Sequence, residues 1–289
     1  MARQIGTLAG KVAVITGSTQ GFGLAIAHAY AGAGAAVVLS NHLPDEVVRA
    51  VDHLRDQGAQ VAGRPCDVRN RDQVFALADA ALSAFGRLDI WVNNAGVTAT
   101  QGPTVAVAPA VFTRVVETNI LGTYHGSLAA LRHMSPRREG KLINIVGQGE
   151  QKPNPYGNAY GASKTWIRTF TLALAEEERS TGLGIFILNP GLLNTELTRQ
   201  MQVVAGYESR ARAFDMVARL MAVPPEDSAQ LALWLAGPAT NERTGVEVRA
   251  PVFRRLLRGL TRELARIALR RPRSNRVSYV SLPPSDDRA

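Results

Sequence analysis

Short apolar runs separated by longer stretches of helical periodicity recur from residue 12 onward. Residues 12–16, 36–40, 60–67, 88–93, 141–146, 184–189 and 245–249 read as strands. Helices are predicted between them at 22–33, 45–57, 71–85, 110–134, 159–180 and 226–236, several closed by glycine (Gly34, Gly58, Gly86). Runs that are apolar throughout, rather than alternating, imply strands buried on both faces, and hence a parallel sheet covered by helices. Strict alternation of strand and helix predicts a single doubly wound α/β domain over residues 10–249, with seven parallel strands and helices on both faces.

Two segments break the rhythm. Residues 192–223 hold Met201, Tyr207, Phe214, Met216 and Met221 between the sixth strand and the next helix. An apolar-rich insertion at the carboxyl edge of a sheet suits a substrate lid; a helical pair packed on the body fits equally well. Residues 250–289 form an extension. There 252–269 places Phe253, Leu256, Leu257, Leu260, Leu264 and Ile267 on one stripe with arginines opposite, an amphipathic basic helix. Such a helix lies on an anionic membrane, crosses a subunit interface or covers its own body. Packing on protein is the commoner outcome and is the expectation.

Charge sharpens this division. The 289 residues carry a formal +9, but residues 250–289 hold ten arginines against Glu263, Asp286 and Asp287, net +7, leaving 23 basic and 21 acidic groups elsewhere, net +2. The basic balance therefore describes the tail, and the main domain is not expected to bind nucleic acid. Hydrophobic residues at 46% and charged residues at 20% suit a sizeable core. Cys66 is the sole cysteine, so no intrachain disulfide can form. Neither an apolar leader nor a run near the roughly 20 apolar residues that cross a bilayer is evident, and a cytoplasmic location is expected. The five histidines show no metal-ligand spacing, so no metal is expected.

Candidate chemistry sits at strand ends. Thr16-Gly17-Ser18-Thr19-Gln20-Gly21-Phe22-Gly23 follows the first strand and opens a helix, the context a dinucleotide loop needs. Gly17 permits the turn, and Gly21 and Gly23 allow close approach of a pyrophosphate. Asp67 and Val68 close the third strand, where a carboxylate can accept from an adenine amino group; Asn93, Asn94, Ala95 and Gly96 close the fourth and can border a nicotinamide ribose. Tyr160 and Lys164 stand at i and i+4 of a helix and share a face. A phenol with pKa near 10 is a poor base, and an adjacent ammonium favours its phenolate. Asn119 lies inside a helix, an unfavourable place for an amide without a task.

In these ordered motifs, together with Pro190-Gly191-Leu192-Leu193-Asn194-Thr195, residues 10–249 resemble the short-chain dehydrogenase/reductase family. The resemblance implies a Rossmann-type domain and a homodimer or homotetramer. It also implies an NAD(P)-dependent oxidoreductase moving hydride between nicotinamide and a small carbonyl or alcohol substrate. Tyr160 would be the acid/base, Lys164 would hold the nicotinamide ribose and acidify the tyrosine, and Asn119 would hold a water in a proton relay. Thr195 with the Leu193 backbone would meet the nicotinamide carboxamide, and Pro190 would also lie at the cofactor.

Three departures qualify the pattern. The family's serine, thirteen residues before the tyrosine, is Gly147, so Gln148 or Tyr156 is expected to supply the missing donor. Its loss leaves open a non-redox alternative of dehydration, isomerisation or cyclisation, and a dinucleotide-sensing protein is a further one. The Asp-Gly-Gly after the last strand is absent. The second strand ends in Ser40-Asn41-His42 with no acid for the adenosine ribose, which tilts the expectation toward NADP, with Asn41 at the cofactor.

Overall fold

The computed structural model describes residues 7–270 and 277–285. Four of the tail arginines, at 271, 273, 276 and 288, lie outside the described residues. Seven parallel strands form one sheet in the order β3-β2-β1-β4-β5-β6-β8: β1 Val12–Ile15, β2 Ala36–Leu39, β3 Val61–Gly63, β4 Ile90–Asn93, β5 Lys141–Ile145, β6 Gly184–Asn189 and β8 Val246–Arg249. Successive residues of each strand serve opposite layers. Ala13 and Ile15 of β1 and Val37 and Leu39 of β2 pack under α1 (Gly21–Gly32), α2 (Pro44–Asp56) and α9 (Pro225–Ala236). Val12, Val14, Ala36 and Val38 pack under α3 (Arg71–Phe85), α5 (Gly122–Met134) and α6 (Asn158–Glu177). This two-sided burial is what made the runs continuously apolar. Strand order reverses between β1 and β4, which opens a crevice at their carboxyl ends.

The predicted helix at 110–134 is instead α4 (Pro109–Val115), a π-helical turn (Val116–Leu121) and α5. The third strand shortens from 60–67 to Val61–Gly63. Segment 192–223 is neither a simple lid nor a helical pair. It contains α7 (Glu196–Arg199), β7 (Gln200–Val204) and α8 (Glu208–Met221), and β7 pairs in parallel with a tail strand, β9 (Ser278–Leu282), that periodicity did not predict. Gln101 from the loop after β4 bonds the other edge of β7, its N–H donating to the Gln202 carbonyl at 2.8 Å.

The basic helix exists as α10 (Val252–Ala268), but its apolar stripe does not cover the body, one of the two protein surfaces expected for it. Arg255 and Gly259 are the buried positions. Any Cβ at Gly259 would overlap the Leu220 carbonyl, so the α8 backbone approaches too closely for a larger residue. Arg255 donates to Ser228 Oγ (2.6 Å) and to the Leu192 carbonyl (3.3 Å). That contact fixes the helix's rotation and turns the stripe outward.

Candidate active site

The glycine loop is built to admit a dinucleotide. Gly17 and Gly21 have φ of +60° and +57°, which favour glycine. At Gly23 a Cβ would overlap the Gly17 carbonyl and Asn94 Nδ2. Helix α1 starts with no side-chain cap and no acid in its first turn, leaving its N–H groups open to a pyrophosphate. Gln20 is exposed at the N-cap and Phe22 is buried below it. Ser18 turns inward, its hydroxyl donating to the Ile15 carbonyl (2.7 Å) and accepting from the Ser40 N–H (3.0 Å), so its side chain pins the loop to β2. Asn94 pins it from β4, Nδ2 donating to the Thr16 and Gly17 carbonyls at 2.9 and 2.8 Å, while the Ala95 N–H donates to Thr16 Oγ1. Thr195, the N-cap of α7, lies over Gly21. Leu193 is buried and the Pro190 carbonyl accepts from Ser228 Oγ.

At the end of β2 an acid arrives from outside the strand. Asn41 Nδ2 donates to Glu46 Oε2 (2.7 Å) and Thr19 Oγ1 (2.5 Å), and Thr19 Oγ1 donates to the same carboxylate oxygen (2.9 Å). Glu46 comes from the first turn of α2, five residues past Asn41, and brings the acid that the strand itself lacks. Asp67 lies not at the end of β3 but four residues past it, where it is gripped by Arg69, whose Nε and Nη2 donate to it at 2.6–3.0 Å, and this bond holds its carboxyl below the usual range. Val68 is buried, with its carbonyl 3.0 Å from His125 Nδ1.

Tyr160 and Lys164 lie on the first turns of α6, beside the end of β5. Lys164 is buried, its Nζ donating to the Ile145 carbonyl (3.1 Å) and standing 5.6 Å from the Tyr160 ring centre. Burial lowers the Lys164 pKa to about 8. Burial, aided by the Glu150 carboxylate, raises that of Tyr160 to about 12. The π turn carries Asn119 against the same site: Oδ1 accepts from the Val97 N–H (2.8 Å), and Nδ2 donates to the Val97 carbonyl and Ser163 Oγ (both 3.0 Å). Its amide is thus bonded to protein at both ends, which fixes this turn. Gly96 fits between them, since a Cβ there would lie 3.3 Å from Asn119 Oδ1 and 3.7 Å from Lys164 Nζ.

Gln148 is not brought to the tyrosine. It is exposed, and its amide reaches Asn154 Oδ1 at 3.4 Å. Tyr156 packs instead on Tyr207 (5.7 Å between ring centres) with Arg210 over its face (4.2 Å), joining the loop after β5 to α8. The Tyr160 hydroxyl occupies the room beside Gly147, where a Cβ would lie 2.6 Å from the phenol oxygen.

Glu150 was missed by sequence reasoning. It is buried after β5, and Oε1 accepts from Asn189 Nδ2 (2.9 Å) and Arg249 Nε (2.8 Å). Oε2 is buried without a hydrogen bond. The only signal was an acid standing in a glycine-containing loop at a strand's carboxyl end. Among the described residues no cluster of three His, Cys, Asp or Glu could hold a metal, and no helix is long and apolar enough to cross a membrane.

The family model for short chain dehydrogenases matches residues 11–203. The chain is 33% identical over 240 residues to 3beta-hydroxysteroid dehydrogenase 1 of Eggerthella lenta, covering 82% of this chain and 91% of that protein. It is 30% identical over 240 residues to glucose 1-dehydrogenase 2 of Bacillus subtilis, covering 82% and 92%. Among solved structures, 3-ketoacyl-(acyl-carrier-protein) reductase from Brucella melitensis, complexed with NADH, superposes with a TM-score of 0.74 at 29% identity, covering 84% and 97%. An actinorhodin polyketide ketoreductase with NADPH does so with a TM-score of 0.76 at 28% identity, covering 86% and 98%. On the matched span, the fold and the glycine loop that fits a dinucleotide, the chain belongs to the short-chain dehydrogenase/reductase family and is an NAD(P)-dependent oxidoreductase.

Proposed function

We propose that the enzyme interconverts a small-molecule ketone or aldehyde and its alcohol, with Tyr160 as the acid/base. The observation that carries this reading is the pairing of half-buried Tyr160 with buried Lys164 at the carboxyl end of β5, backed by Asn119 and Gly96. A bound nicotinamide supplies or accepts the hydride. In reduction the Tyr160 phenol donates its proton to the substrate oxygen; in oxidation its phenolate takes that proton back. Lys164 holds positive charge beside the ring and favours the phenolate, while Glu150 opposes it. Asn119 is a positioning residue that fixes the π turn against Val97 and Ser163. Gln148, exposed and turned to Asn154, is left out of the chemistry.

The coenzyme we favour is NAD(H). A carboxylate bonded to both Thr19 and Asn41 suits ribose hydroxyls and repels a 2′-phosphate. The dehydrogenases and reductases among the relatives favour redox chemistry over the non-redox and sensor alternatives. We place the enzyme in the cytoplasm as a homo-oligomer. Tyr124, Phe170 and Trp166 support an interface on α5 and α6: Trp166 stacks on Phe170 at 4.8 Å, and Tyr124, exposed, meets Phe170 at 6.1 Å.

The test is Tyr160→Phe. Reduction of a panel of ketones, followed by nicotinamide absorbance, should fall about 10²–10⁴-fold with coenzyme affinity retained. A variant keeping most of its activity would overturn the assignment.

A further inference from the structure

The outward stripe of α10 is the largest feature that the redox site leaves unexplained. Phe253 is 76% exposed, Leu264 65%, Ile267 62% and Leu257 55%, and Leu256 and Leu260 complete the row. At 100° per residue the six fall within an arc of about 100°, one continuous face. Seventeen residues give that face a length of about 25 Å. Met216 and Val217, exposed on α8 one turn before the Leu220 carbonyl that Gly259 touches, extend the apolar surface. The exposure does not come from a helix detached from the body, because Arg255 bonds it to Ser228 and Leu192 and Gly259 seats it on α8. The same two residues set the rotation that leaves the stripe open.

We propose that α10 is an interfacial helix that seats the enzyme on an anionic phospholipid bilayer, with the stripe in the acyl boundary and the tail's arginines at the headgroups. Charge selects this occupant. Residues 250–270 carry Arg254, Arg255, Arg258, Arg262, Arg266 and Arg270 against Glu263, six positive charges less one negative, net +5, while residues 1–249 carry only +2, so positive charge is concentrated on the helix that bears the apolar stripe. Arg254, Arg258 and Arg262 are exposed along the same helix. Apolar burial combined with arginine-to-headgroup attraction is the recipe for in-plane amphipathic helices. A second copy is a poorer occupant: stripe-to-stripe pairing would bring two helical segments of net +5 together. The stripe runs along a single convex helix, which suits a planar surface. Because Arg255 also reaches the carbonyl of Leu192, in the loop between β6 and α7, the docking helix is joined directly to the active-site rim.

The experiment uses the full chain and sucrose-loaded vesicles of pure phosphatidylcholine or of phosphatidylcholine with phosphatidylserine. Sedimentation is measured at 0.1 M and 1 M salt. Partition onto anionic vesicles should exceed that onto neutral ones by about fivefold per engaged arginine, and should fall at 1 M salt, where the screening length shrinks to about 3 Å. The triple variant Phe253→Asp, Leu257→Asp, Leu264→Asp alters only exposed positions. It should lose vesicle binding while keeping its coenzyme affinity and its mass by light scattering. Equal binding of the wild type to both vesicle types, or none to either, overturns the proposal. So does a triple variant that still binds, because arginines alone would then suffice. If the triple variant changes oligomeric mass, the stripe belongs to a second copy, which also overturns it. Should the triple variant fail to bind coenzyme, the single change Leu264→Asp takes its place, with the same outcomes.

Discussion

Gly147 gives the sharpest test of how the tyrosine is held. Replacing it with alanine places a Cβ 2.6 Å from the Tyr160 hydroxyl oxygen, whereas ordinary contact begins near 3.4 Å, so the phenol must retreat by about 0.8 Å. Little room exists for that movement. One turn along α6, Lys164 is buried and bonded to the Ile145 carbonyl, and Gly161 lies tightly between Gly149 and Asn154. Misplacement of a reacting group by about 1 Å can cost about 10²-fold in rate. Gly147→Ala should therefore lower kcat for ketone reduction by about two orders of magnitude, with coenzyme affinity near that of the wild type and Tm lowered by a few degrees, since overpacking costs about 1–3 kcal/mol. Gly147→Ser imposes the same displacement but returns a hydroxyl, and a donor to a developing oxyanion is worth about 10²–10³. The serine variant should exceed the alanine variant without surpassing the glycine enzyme by a large factor. Stopped-flow and steady-state absorbance assays separate chemistry from release. An alanine variant with wild-type kcat would refute the reasoning, because the phenol would then work from a position that a Cβ does not disturb.

Other expectations follow from single contacts. NADH should bind more tightly than NADPH, and Glu46→Gln should narrow that gap by strengthening NADPH binding; calorimetry showing a wild-type preference for NADPH sinks the coenzyme reading. Glu150→Gln removes a negative charge that raises the tyrosine pKa while keeping an acceptor for Asn189, so the limb of alcohol oxidation that rises with pH should move to lower pH; an unmoved limb would show that Glu150 is too far away to matter. Arg255→Met should unpin α10 from Ser228 and Leu192 and lower Tm by several degrees, as expected when a buried charge-assisted hydrogen bond is lost, and limited proteolysis should then cut near residue 251.

The strands were legible because burial on both faces leaves a continuous apolar run, and Tyr160 and Lys164 were legible because a helix repeat puts them on one side. What escaped notice depends on distant partners. Glu150 is defined by Arg249, ninety-nine residues away, and nothing in its neighbourhood announces that pairing. Glu46 reads as an ordinary first-turn acid until α2 folds back on Thr19. β9 exposes almost every side chain, so it carries no burial pattern; it is a strand because β7 offers it a ladder. The π turn changes neither composition nor apolar spacing, and Asn119 was its one visible trace.

The pairing of β7 with β9 also orders the enzyme's assembly in time. Every strand of the large sheet has been synthesised once residue 249 leaves the ribosome, so the nucleotide half can form on a growing chain. Residues 200–204 have no second ladder until 278–282 are made, a sequence separation of seventy-eight residues that must be closed last. A nascent or prematurely ended chain would therefore complete its large sheet while still lacking the β7–β9 ladder.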